Sequence, residues 1–118
     1  IYTSRSSAAS DVYKRQVYKI CTKEEWNNFK QKKSWQGSKI DVDDGFIHLS
    51  DRDQVNKTLK KYFSNQKNLI LLIIKTDNLS NLIWEKSTNG EKFPHLYSNL
   101  QIDNVIDSKE IIGDQHLF

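Results

Sequence analysis

The feature that most constrains the fold is Leu69-Ile70-Leu71-Leu72-Ile73-Ile74, six apolar residues in an unbroken run. A bilayer-spanning helix needs about 20 such residues, so this run is strand-sized. A strand with no polar alternation must be covered on both faces.

The flanking sequence supplies candidates for that cover. Val17-Tyr18-Lys19-Ile20-Cys21 alternates and reads as a strand. Thr22 opens a helix, and Glu25 three residues on completes a capping box. Trp26 and Phe29 share one face of that helix, with Lys30, Lys32 and Lys33 near its C-terminus. Residues 34–44 read as a loop with an acidic end. Phe46-Ile47-His48-Leu49 reads as a second strand. Ser50 or Asp51 is the predicted cap of the next helix, with Asp53 in its first turn. Val55, Leu59, Tyr62 and Phe63 form its apolar stripe. Ile83-Trp84-Glu85 is another short strand, residues 87–90 a turn, and residues 104–112 the last strand or strand pair. This order predicts an α+β fold: a small split, mostly antiparallel sheet with two main helices.

Residues 6–16, SSAASDVYKRQ, back-translate to a sequence similar to a transposase-based sequencing adapter. Residues 1–16 are therefore read as a non-native, adapter-derived tail, and residues 17–118 as one α+β domain. The absence of Met fits an open-ended fragment. Arg5, Lys14 and Arg15 against Asp11 supply +2 of the formal net charge of +3. About +1 remains for the domain, which gives no support to a nucleic-acid partner. No apolar run suggests a membrane partner. Cys21 is alone, so no intrachain disulfide forms, and the expected location is a reducing cytoplasm. Between Ile20 and Thr22 it reads as a small core residue.

Three polar groups sit in apolar surroundings. His48 and Ser50 fall on one face of an extended segment, and Ser50 at a helix start would bring backbone N–H donors close to the ring. Arg52 is positioned to add a phosphate contact. Trp84-Glu85 places a stacking ring beside a candidate general base. Phe93-Pro94-His95-Leu96-Tyr97 gives His95 and Tyr97 the same period-2 spacing, stiffened by the only proline. The plain alternatives are a core histidine bonded to backbone, a core Trp beside an exposed Glu, and a rigid loop packing its aromatics. His48, His95 and His116 lack any metal-ligand spacing, so no metal is expected.

The combination DGFIHLS (residues 44–50), WE (84–85) and FPHLY (93–97), after an opening VYKI strand, resembles the bacterial domain-of-unknown-function family 952. The resemblance runs from Val17 to about Ile112. It implies an ADP-ribosyltransferase-like fold, a split sheet holding NAD or an ADP-ribose-type ligand in its cleft. It also implies roles: His48 on a ribose hydroxyl, Glu85 as the late carboxylate, and Trp84, Tyr97 or Trp35 as the stacking aromatic. A clear Arg on the first strand and a Ser-Thr-Ser-type strand, which that fold's enzymes carry, are missing.

Three functions remain open at this level. One is an enzyme of NAD, ADP-ribose or phosphorylated-nucleotide chemistry, with His48 and Glu85 catalytic and Ser50, Arg52, Trp84, His95 and Tyr97 binding. The second is a non-catalytic small-molecule-binding module. The third is a structural or interaction domain. Oligomeric state is left open.

Overall fold

The computed structural model describes residues 16–112. Most of the adapter-like tail and His116 lie outside the described residues. Gln16, the last residue assigned to that tail, is the first residue of a strand and pairs with Lys75.

Among the described residues, eight strands and three helices follow in order. They are β1 (Gln16–Thr22), α1 (Lys23–Lys32), β2 (Ser34–Trp35), α2 (Lys39–Asp44), β3 (Ile47–His48) and α3 (Val55–Tyr62). Then come β4 (Leu69–Lys75), β5 (Leu82–Lys86), β6 (Lys92–Leu96), β7 (Leu100–Gln101) and β8 (Val105–Ile111), with one 3-10 turn, Ile102–Asn104, before β8. The strands form three antiparallel sheets, ordered β1-β4-β8, β2-β7 and β3-β6-β5. The α+β class and the antiparallel pairing agree with the sequence reading. The third helix, α2, does not, because residues 34–44 were read as loop.

The apolar run is the middle strand β4. Ile70, Leu72 and Ile74 enter one core with Val17, Cys21, Phe29, Ile47, Leu49 and Leu96. Leu69, Leu71 and Ile73 enter the other with Tyr18, Ile20, Val55 and Leu59. Both faces are covered, as six consecutive apolar side chains require. Cys21 is buried, and burial pushes its thiol up to about 12, so it behaves as packing and not as a nucleophile.

The capping box of α1 forms as read. The Glu25 N–H donates to Thr22 Oγ1 at 3.0 Å, and the Thr22 N–H donates to Glu25 Oε1 at 2.9 Å. Thr22→Ala should lower stability by about 1 kcal/mol. The check is the midpoint of urea unfolding; an unmoved midpoint means the cap contributes nothing.

The start of α3 differs from the reading. Its N-cap is Gln54, and the first turn holds no acidic residue. The Asp51 and Gln54 side chains instead bond each other's backbone N–H, at 2.8 and 3.0 Å, closing a turn before the helix. Ser50 belongs to the sheet: its backbone exchanges two hydrogen bonds with Tyr18, at 2.8 and 2.9 Å. Tyr62, read as part of the stripe, is 60% exposed at the last helical position, and Phe63 after it packs against the core instead.

Pro94 lies in β6, the middle strand of its sheet, a position prolines rarely occupy. Its carbonyl accepts the Leu49 N–H at 3.0 Å, but it has no N–H to return. That pair makes one bond instead of two, and β3 ends at His48.

Candidate functional site

In β1 the period-2 alternation puts Lys19 on the same face as Val17 and Cys21, toward β3. There its ammonium meets Asp41, the third residue of α2. Asp41 is 1% exposed and would be an expensive buried charge if it stood alone. Five donors surround it. Oδ2 accepts the Ser38 N–H at 2.9 Å, the Ser38 hydroxyl at 3.1 Å and Lys19 Nζ at 2.8 Å. Oδ1 accepts the His48 backbone N–H at 3.1 Å and the ring Nδ1–H at 2.6 Å. Burial opposes ionisation of Asp41. The His48 and Lys19 contacts outweigh it and hold the carboxyl well below the usual carboxylate range. An ionised Asp41 fixes the proton of His48 on Nδ1, which leaves Nε2 as the outward-facing ring atom.

Gly37 makes room for this arrangement. A Cβ there would lie 2.5 Å from both Asp41 Cβ and Oδ2, and φ is +97°. Only glycine allows the backbone to pass the carboxylate in that conformation.

A second carboxylate–imidazole pair stands on the neighbouring strands. Glu85 Oε1 accepts the His95 ring Nδ1 at 2.8 Å and the Tyr97 hydroxyl at 2.5 Å. The Tyr97 hydroxyl, followed by the His95 ring, holds the Glu85 carboxyl below its ordinary value. The same Glu85 contact raises the Tyr97 phenol. Both bonds fall on Oε1, and among the described residues nothing bonds Oε2.

Sheet pairing joins the two halves. His48 of β3 is directly opposite His95 of β6, with ring centroids 5.6 Å apart at 69°. Phe46 lies against both rings, at 4.6 and 4.2 Å, and 5.2 Å from Tyr97. Asp44, at the end of α2, reaches the outer His48 atom, Nε2, at 3.0 Å. One sheet face therefore carries two imidazoles, each oriented at Nδ1 by a carboxylate, beside an aromatic wall.

Of the residues singled out in the sequence, His48, Glu85, His95 and Tyr97 come together. Trp84 does not join them. It is opposite Pro94, on the strand face alternate to Glu85, and 42% exposed. Ser50 is buried with its hydroxyl 3.1 Å from Thr58 Oγ1, turned toward α3, so it brings no helix N-terminus to His48. Arg52 lines a separate open cavity of about 470 Å³ with Gln16, Tyr18, Ile73 and Asp107. Trp35 stacks on Phe29 at 5.5 Å, with Lys19 Nζ 6.0 Å from its ring.

Lys19, Asp41, Asp44 and Phe46 were missed as site residues. Two signals pointed to the first pair. Ser38-Ser/Thr-type spacing to Asp41, three residues on, is a helix-start pattern. Lys19 is a lone cation on the inward register of an apolar strand. Among the described residues, no group of three His, Cys, Asp or Glu side chains is arranged to hold a metal ion. No helix of the described residues is long and apolar enough to cross a membrane.

The family described as "Protein of unknown function (DUF952)" matches residues 20–108. A crystal structure of protein CC0527 from Caulobacter crescentus is 40% identical, with a TM-score of 0.77, over 80% of this chain and 83% of that one. The solution NMR structure of CC0527 is 39% identical, with a TM-score of 0.73, over 81% and 84%. No curated protein matches the chain. The family match spans both histidine-bearing strands and most of the described fold, and this chain belongs to the DUF952 family of proteins of unknown function.

Proposed function

We propose that the chain is a cytoplasmic enzyme of NAD, ADP-ribose or related phosphorylated-nucleotide chemistry on an ADP-ribosyltransferase-like fold. The observation that carries this reading is the fixed Glu85 carboxylate on β5, held by Tyr97 and by His95 of β6, the strand that pairs with His48 of β3. A carboxylate kept ionised with one oxygen unengaged is suited to stabilise positive charge building on a ribose ring. His48 and His95 line the sugar and its phosphates, and the Phe46 and Tyr97 rings offer a stacking wall for a base or nicotinamide. The partner is a small molecule.

Isothermal titration of the full chain with NAD and with ADP-ribose tests this. Saturable binding is expected, with slow release of nicotinamide from NAD. Glu85→Gln should retain binding and lose turnover by about 100-fold, as removal of a charge-stabilising group does. Absence of binding up to millimolar ligand in a folded sample overturns the proposal.

The engagement of Glu85 Oε1 by two donors favours a second reading, a binding module without catalysis. It predicts thermal stabilisation by ADP-ribose with no nicotinamide release.

A further inference from the structure

We infer that the ligand group seated against His48 is an anionic oxygen, a phosphate oxygen in the nucleotide reading, and that Asp44 holds its place in the free protein. The inference rests on the proposed ligand-binding role of this sheet face and names the atom that His48 receives.

His48 Nδ1 is committed to buried Asp41, so the ring has one atom to offer, Nε2. That atom already faces a carboxylate oxygen, Asp44 Oδ2, at 3.0 Å. With an ionised carboxylate at each nitrogen, both contacts are hydrogen bonds when the ring carries both protons. The outer position therefore already has a carboxylate oxygen within hydrogen-bond distance.

Asp44 is poorly anchored there by anything else. It is the last residue of α2, where the helix dipole disfavours negative charge, and the last turn has no basic residue. Lys39 pairs with Asp43, at 3.0 Å. The Asp44 side chain is 46% exposed, whereas that of Asp41 is fully enclosed.

A ligand that uses His48 must displace this carboxylate. An anionic oxygen can take the position of the Asp44 carboxylate oxygen and make the same contact to Nε2. A neutral ribose hydroxyl oxygen can accept there only a weaker bond. Asp44 is thus an internal competitor that selects for anionic groups.

The test is isothermal titration of the full chain and of Asp44→Asn and Asp44→Ala with ADP-ribose, inorganic phosphate and adenosine. Both variants should bind ADP-ribose and phosphate about two- to fivefold tighter than the wild type, the range of one half-exposed charge contact. Adenosine affinity should not change. Equal or weaker anion binding by the variants overturns the inference, and if the wild type still binds ADP-ribose the nucleotide reading stands without it. A gain for adenosine equal to that for the anions also overturns it. Tighter phosphate binding by the variants with no ADP-ribose binding by any form keeps the anion site and rejects the nucleotide. Preference for ADP-ribose over phosphate assigns the oxygen to a nucleotide phosphate, and equal gains assign it to a free anion. Thermal melts of the variants establish that they are folded.

Discussion

Asp41→Ala should cost about 3–5 kcal/mol of folding stability, the expected penalty for breaking a buried ion pair from one side. The substitution removes the acceptor of five donors and strands the Lys19 ammonium, whose side chain is 8% exposed. Urea unfolding at neutral pH measures the loss. Lys19→Met combined with Asp41→Leu should recover much of it, because an apolar pair leaves no uncompensated charge. A loss below about 1 kcal/mol for Asp41→Ala would mean that the buried network is not holding α2 to the sheet. The same network sets an acid dependence. The folded carboxyl titrates well below its unfolded value of about 3.9, so its contribution is complete above that pH. As pH falls below about 4 the unfolded chain takes up the proton first, and stability declines toward the folded value. In Asp41→Asn this segment of the pH–stability curve should flatten.

Phe29→Ala should cost about 3–5 kcal/mol, as expected for deleting a buried aromatic ring. Phe29 is 1% exposed and packs edge-on to Trp26 at 5.6 Å and stacked on Trp35 at 5.5 Å. Trp35 in turn lies beside Lys19, so the cavity would also loosen the wall behind the Asp41 network. Chemical unfolding with near-ultraviolet circular dichroism reads both effects. A cost under about 2 kcal/mol would indicate that Trp26 and Trp35 collapse into the space.

Much of the site was legible wherever spacing alone fixed it. Period-2 spacing assigned His95 and Tyr97 to one face, and the structure ties both to Glu85. The Ser50 expectation failed because a serine before an amphipathic run suits a cap and a strand end equally well. The two hydrogen bonds to Tyr18, a partner 32 residues away, decided for the strand. Trp84 was grouped with Glu85 because they adjoin in sequence, yet neighbours on a strand point to opposite faces.

By itself the sequence determined the local elements: the doubly covered β4, the Thr22–Glu25 cap, the α+β class and the registers of His95 and Tyr97. These follow from periodicity and capping chemistry, which act over a few residues. Only the tertiary structure decided that an acidic segment read as loop would become α2 and bury Asp41. A buried carboxylate is tolerable only where donors from distant segments converge, here Lys19 from β1 and His48 from β3. That convergence depends on sheet pairing and core packing across the chain, which no local pattern encodes.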